Sequence, residues 1–207
     1  MQPAYYENFD EIIKQVWSMF DNAIKDRSSP FRIPVFICGD QKDFDGRIVV
    51  LRKSDQENRL LQFHSDIRSD KILKLKSNSK ASFLFYDKDE KIQVRAKVDC
   101  VINYKNEITE QSWLKTGHMS RKCYLVDDGP GSESEIPTSG LLPEKDNFDY
   151  TMEESEKGYE NFTVIQCKIN SLEWLYLAAK GHRRARFEFA DNLDSKNTST
   201  RNYWLVP

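Results

Sequence analysis

One stretch of strict alternation limits what this chain can fold into more than any other feature. Every second residue between positions 92 and 102 is apolar, and these are Ile92, Val94, Ala96, Val98, Cys100 and Ile102. Successive side chains of a β-strand point to opposite faces, so this pattern predicts a long strand with one face in the core. The other face begins with Gln93 and Arg95 and is predicted to meet something polar.

Further β-rich runs surround this strand and are separated by turn residues. The runs cover 32–38, 47–51, 60–65, 81–86, 163–177, 186–189 and 203–206. Apolar residues from Phe9 to Ile24 instead recur at three- and four-residue steps, which predicts an N-terminal helix over 8–25. Shorter helices are predicted over 69–75, 106–116 and 121–126. This order predicts a mainly β fold, an antiparallel barrel with flanking helices.

Length and charge exclude several classes of protein. With 207 residues the chain is predicted to form a single domain, 1–207. Its net charge of −2 gives no overall attraction to nucleic acid or to an anionic membrane. No segment approaches the ~20 apolar residues of a membrane span, and the N-terminus lacks the pattern of a secretory signal. Four widely spaced cysteines without zinc-ligand spacing fit a reducing compartment, so we expect a cytoplasmic protein.

The composition changes between Asp127 and Asn161. This stretch has eleven acidic residues against two lysines, with four of the eight glycines and three of the seven prolines. Such a composition predicts an acidic loop insertion over 127–161. The strand-rich remainder is therefore mildly basic.

The sequence has no catalytic triad, P-loop or dinucleotide-binding glycine motif. Cationic and hydroxyl side chains instead gather at the ends of predicted strands. Ser69 and Lys71 stand at the start of a predicted helix, where free backbone N–H groups and the helix dipole favour an anion. These residues indicate a phosphomonoester site, although cations on strand faces are commonly only solvated.

The order of these residues closely resembles the pyridoxamine 5′-phosphate oxidase superfamily of FMN-binding split β-barrels. The matching runs are Arg47–Arg52, Leu61–Lys71, Phe83–Tyr86 and Ile92–Arg95. The likeness extends from about Phe31 to Val206 and is greatest to the oxidase-related branch of the superfamily, not to the true oxidases.

The resemblance implies FMN as cofactor, bound between the two subunits of a homodimer. By this likeness Arg47, Ser65, Ser69 and Lys71 hold the FMN phosphate. The main chain of Ile48, Val49, Val50 and Leu51 lines the flavin ring, with Arg52 and His64 beside the flavin and Gln93 and Arg186 near its polar edge. For His64 an ordinary hydrogen-bonded role at a strand end is the alternative. The strands before residue 66 and the helical region 106–126 are expected to supply much of the dimer contact.

Several positions depart from the true oxidases. Asp70 stands where they carry arginine, and Arg52 where they carry a lysine that touches both ligands. Their R-x-H-x-R-F motif is reduced to its last arginine and phenylalanine, which leaves His182 and Arg184 at the substrate positions. Tyr176 takes the place of their ring-stacking tryptophan. We therefore expect pyridoxamine 5′-phosphate to be a poor substrate.

Two functions remain open at this stage. The first is an FMN-dependent oxidoreductase acting on an unknown small planar or phosphorylated molecule. The alternative is a non-catalytic flavin-binding protein that serves storage or sensing. Both need the same phosphate anchors, so the sequence does not separate them.

Overall fold

The computed structural model of this chain describes residues 3–39, 43–141, 150–190 and 201–207. Its strands are β1 (Val35–Gly39), β2 (Phe44–Ile48), β3 (Leu51–Asp55), β4 (Leu60–Asp66), β5 (Lys80–Asp87), β6 (Ile92–Asn103), β7 (Phe162–Tyr176), β8 (Arg183–Glu188) and β9 (Arg201–Leu205). Its α-helices are α1 (Phe9–Lys25), α2 (Asp70–Ser77), α3 (Glu107–Leu114), α4 (His118–Arg121) and α5 (Met152–Ser155). Short 3-10 turns cover Pro30–Arg32, Lys122–Tyr124 and Glu156–Asn161.

All the strands pair antiparallel in one sheet. The main path runs β2-β1-β5-β6-β7-β4-β3, and β8 and β9 extend from the second half of β7. The two edge strands of this path, β2 and β3, are joined directly through Val49 and Val50. The sheet therefore curls back on itself, as the predicted mainly β fold with flanking helices requires.

The alternating strand forms as predicted. In β6 the side chains of Val94, Ala96 and Val98 are buried, while Arg95 and Lys97 between them are exposed. The buried face packs on a group of phenylalanines from neighbouring strands. Phe36 and Phe63 lie with ring centroids 4.8 Å apart, and Phe36 and Phe83 lie 5.0 Å apart.

Helix α1 also follows the prediction. Asn8 caps it by accepting hydrogen bonds from the backbone N–H groups of Asp10 and Glu11 at 3.0 and 3.1 Å. Its apolar stripe, including Val16 and Phe20, is buried in the core. Among the described residues, no helix combines the length and apolar character that a membrane crossing needs.

Several predicted boundaries differ from the structure, including that of the run 32–38, which is a strand only from Val35, and that of the helix predicted over 121–126, which is α4 (His118–Arg121) followed by a 3-10 turn. The run 47–51 is divided, because β2 ends at Ile48 and β3 begins at Leu51. The run 186–189 begins three residues earlier, at Arg183. The acidic segment 127–161 ends in regular turns, since α5 and the 3-10 turn Glu156–Asn161 occupy its last ten residues. Positions 142–149 of that segment lie outside the described residues.

Candidate functional site

Three of the predicted phosphate ligands meet in one cluster. The Lys71 ammonium donates to the Ser65 hydroxyl at 2.9 Å and to the Ser69 hydroxyl at 3.0 Å. The two hydroxyl oxygens are 3.1 Å apart. Ser65 and Ser69 are buried and Lys71 is half-buried. We call Ser65, Ser69 and Lys71 the lysine–serine cluster.

Local structure explains this convergence. Ser65 is near the end of β4, and α2 begins directly after Ser69. The Ser69 hydroxyl donates to the carbonyl of Asp66 at 2.8 Å, so the turn between strand and helix is closed. Lys71 has no ion pair within the described parts of the chain. Burial lowers the pKa of its ammonium, and the nearby positive charge of Arg47 lowers it further.

Arg47 approaches the same region from β2, where it faces Phe36 of β1. Its guanidinium pairs with the Asp45 carboxylate. The chain that follows is predicted to line the flavin ring. Val49 donates its backbone N–H to the carbonyl of Pro34 at 3.1 Å, and the Leu51 side chain is fully buried.

A β-bulge places Arg52 in a cavity on the outer side of β3. Leu51 faces Phe63 and Lys53 faces Gln62, so Arg52 is the extra residue of the pair. A bulge re-aims side chains, and here Arg52 and Lys53 are both exposed. They open into a cavity of ≈ 800 Å³ that His64 also lines.

This cavity is strongly basic. Its basic side chains are Arg27, Arg32, Arg52, Lys53 and Lys115, and none of its lining residues is a carboxylate. Within the described ranges, Arg27, Arg52 and Lys115 have no ion pair. Burial and the charge of Arg52 lower the pKa of His64 to about 3, so its imidazole is neutral. The sequence did not indicate Arg27 or Lys115 as site residues. Arg27 follows α1 and Lys115 follows α3, and only folding brings both of them to the cavity beside β3.

The remaining predicted ligands lie elsewhere, on the outer face of the sheet. Gln93 of β6 faces Leu175 of β7, and Arg184 of β8 faces Leu175 from the other side. Arg186 faces Glu173, and its guanidinium contacts that carboxylate at 2.9 Å. These residues form an outer-face group with Glu173 at its centre.

Two residues named from the resemblance make contacts within the chain, and of these Tyr176 is buried and His182 is exposed. Tyr176, placed at the ring-stacking position, is buried and stacks on Trp174 in the core. The outward side chain of that strand is Leu175, one residue earlier, because a shift of one position changes the face. His182, placed at a substrate position, accepts the Ala178 backbone N–H on its Nδ1 at 3.0 Å.

The lysine–serine cluster and the outer-face group lie at opposite halves of β7. Ser65 faces Thr163 near the start of β7, whereas Gln93 faces Leu175 near its end. At 3.3 Å per residue these positions are about 40 Å apart along the strand. The structure thus brings together the predicted phosphate ligands but not the predicted ring ligands.

This curled antiparallel sheet is the fold of solved pyridoxamine 5′-phosphate oxidase-related proteins. The family model of the pyridoxamine 5′-phosphate oxidase FMN-binding domain matches residues 14–103. Over these residues the match confirms the resemblance that the sequence predicts. No curated protein matches the chain.

Solved structures show the same fold over the whole chain. One is a pyridoxamine 5′-phosphate oxidase-related, FMN-binding protein from Nostoc punctiforme PCC 73102, with a TM-score of 0.70, 14% identity and 100% of both chains covered. Another is PhzG from Burkholderia lata 383 in complex with tetrahydrophenazine-1-carboxylic acid, with a TM-score of 0.71, 14% identity, and 100% of this chain and 98% of that chain covered. At such identity these likenesses concern the fold alone.

Proposed function

We propose that this protein is an FMN-dependent oxidoreductase that works as a homodimer on a small anionic substrate. The lysine–serine cluster is the observation that carries the proposal. A half-buried ammonium held by two hydroxyls, without a carboxylate partner in the described residues, is arranged to receive an anion.

The residues present fit a phosphate monoester. Lys71 supplies charge, and its ammonium is held by the Ser65 and Ser69 hydroxyl oxygens, which are 3.1 Å apart. Arg47 adds a second positive charge close enough to affect the pKa of Lys71. Arg68, which the sequence offered as a substitute cation, is bound to Asp66 and to the carbonyls of Val126 and Asp127. The phosphate site therefore depends first on Lys71, to which Arg47, itself paired with Asp45, adds positive charge.

When bound, FMN supplies a flavin ring that takes up and passes on electrons or a hydride. The chain from Val49 to Leu51 would orient that ring, because its backbone is fixed to Pro34 and its side chains enter the core. Arg52 would place positive charge beside the ring, where it stabilises negative charge that develops on reduction.

A homodimer would complete the site. One cross-strand row runs over the outer face of the sheet, in the order Ile48, Val35, Leu84, Arg95, Glu173, Arg186 and Tyr203. A two-fold axis near the middle of this row would bring Ile48 of one subunit against Arg186 of the partner subunit. That arrangement would bring the outer-face group of one subunit toward the lysine–serine cluster of its partner, whereas within one subunit the two lie at opposite halves of β7.

The basic cavity is where we place the substrate. It shares Leu51, Arg52 and His64 with the proposed flavin wall, and it adds Arg27 and Lys115. Unpaired cations around one cavity repel each other, and an anionic ligand relieves this repulsion. Residues 106–126, predicted at the dimer contact, supply part of the cavity lining, so we base the dimer on the sheet face alone.

A flavin-binding protein without turnover is the second candidate. It is favoured by the internal contacts of the two residues predicted to touch substrate. His182 accepts from the Ala178 amide, and Arg184 contacts Glu173 at 2.7 Å. Detection of hydrogen peroxide from FMN-loaded protein supplied with small anionic reductants would separate turnover from binding.

The phosphate site is tested by titrating apoprotein with FMN and with riboflavin, which lacks the phosphate. Lys71→Ala removes a charge-assisted contact and should weaken FMN about ten- to a hundredfold while leaving riboflavin unchanged. Lys76→Ala, an exposed change on the same helix, is the matched control and should alter neither affinity. Equal wild-type affinity for FMN and riboflavin would overturn the proposal.

A further inference from the structure

Glu173 is a buried carboxylate that three guanidinium groups share. Glu173 is only 6% exposed. Arg184 contacts Oε1 at 2.7 Å, Arg186 contacts Oε2 at 2.9 Å, and Arg95 also pairs with Oε1. Neither the sequence nor the family resemblance assigns Glu173 a role.

Strand register produces this arrangement. Arg95 of β6 and Arg186 of β8 face Glu173 from its two sides, and Arg184 is two residues from Arg186 on the same face. Three positive charges surround one negative charge, so the group keeps an excess of two. Burial raises the pKa of the Glu173 carboxyl, but the hydrogen bonds from the three arginines together outweigh it, so that the pKa is lowered overall.

We infer that Glu173 is a positioning residue that orients Arg184 and Arg186 for ligand binding. This inference rests on the proposed function, which places Arg186 of the partner subunit at the polar edge of the flavin. Each carboxylate oxygen holds a different one of these two arginines. One side chain therefore fixes both guanidinium groups relative to each other.

The alternative is that Glu173 and its three arginines affect ligand binding only through their net charge. The two accounts predict opposite changes in FMN affinity for the Glu173→Gln variant. Glu173→Gln makes the group more positive, so a charge effect alone would tighten binding of the FMN dianion. Under the positioning account the same change releases Arg186 and weakens binding. Tyr203 keeps only a 3.4 Å contact to Arg186 and does not replace the carboxylate.

The experiment measures FMN and riboflavin affinities of wild-type and Glu173→Gln dimers. We expect both flavins to weaken on the order of tenfold, because Arg186 is placed at the ring and not at the phosphate. Lys97→Gln, an exposed change of charge two residues from Arg95 on the same face, is the control and should stay within about twofold.

A double-mutant cycle distinguishes the positioning role of Glu173 from a general loss of structure. If Glu173 acts through Arg186, then Glu173→Gln should have little further effect in an Arg186→Gln background. Full additivity of the two changes, or unchanged or tighter FMN binding by Glu173→Gln, would overturn the positioning role. Failure of the wild-type protein to bind FMN would instead overturn the proposed function.

Discussion

His64 lines the basic cavity, and its protonation affects the free energy of unfolding. It lies on β4 between the cavity and Phe162, whose ring centroid is 4.8 Å from its own. Burial and the adjacent Arg52 lower its pKa to about 3, well below the ordinary value of 6.5. The folded protein therefore keeps this imidazole neutral at pH values where an unfolded chain would protonate it.

This difference predicts a pH-dependent stability. Because the folded pKa is the lower one, the contribution is fully present above pH 6.5 and is lost as the pH falls from 6.5 toward 3. Between pH 6 and pH 5, the apoprotein should lose about 1 kcal/mol more unfolding free energy than the His64→Gln variant. Urea denaturation at the two pH values measures this. Parallel losses in both proteins would show that His64 is protonated in the fold.

At the scale of elements, Arg121 joins the helices that border the cavity. It is fully buried on α4 and donates to the carbonyls of Trp113 at 2.7 Å and Thr116 at 2.8 Å. Its guanidinium also pairs with Glu156 and lies 4.3 Å from the centroid of the Trp113 ring. One side chain thus links α3, α4 and the end of the acidic segment.

Removing that link should be costly. Arg121→Met removes the donor of the buried Thr116 carbonyl and one of several donors to the Trp113 carbonyl and to Glu156, so we expect a loss of about 2–3 kcal/mol in unfolding free energy. Arg121→Lys keeps the charge but loses the several N–H donors of the guanidinium, so its unfolding free energy should lie between those of the wild type and Arg121→Met. Chemical denaturation followed by tryptophan fluorescence is the measurement. A loss below about 1 kcal/mol for Arg121→Met would contradict this role.

Local pattern explains which parts of the fold and site were predictable. The alternation in β6, the period of α1 and the spacing from Ser65 to Lys71 each lie within a short stretch, so the sequence indicates them directly. The bulge at Arg52 and the division of the run 47–51 depend on pairing with β4 and β1. Arg27 and Lys115 line the same cavity but come from distant parts of the chain, so no local pattern indicates them. The burial of Tyr176, placed by the resemblance at the ring-stacking position, also follows from the pairing of β7 with its neighbours.

At the scale of the molecule, the outer face of the sheet carries a row of partly exposed apolar side chains, which is unusual for a solvent-facing surface. Its row begins with Ile48, which is 64% exposed, and continues through the half-buried Val35 and Leu84 before it reaches the arginines. Apolar side chains aligned along a sheet face are typical of a surface that a partner covers.

A charge in this row should separate the subunits. Val35→Asp puts a carboxylate between Ile48 and Leu84, which offer it no cation, so we expect a monomer that binds FMN at least about tenfold more weakly. Val101→Asp, on the outer side of β6 but away from the row, is the matched control and should remain dimeric. Sedimentation velocity at micromolar concentration gives the state of each. A flavin-loaded wild-type monomer would contradict the interface.

The long strand β7 also sets the order in which the chain becomes a folded protein. Strand β4 ends at Asp66, but its partner residues in β7 come about a hundred positions later. At 5–20 residues per second, a ribosome needs about 5–20 s to supply them. Until then β4 and β6 each present an unpaired edge, and unpaired strand edges attract other chains. The part of the chain that matches the family model is thus the part that most needs protection during synthesis.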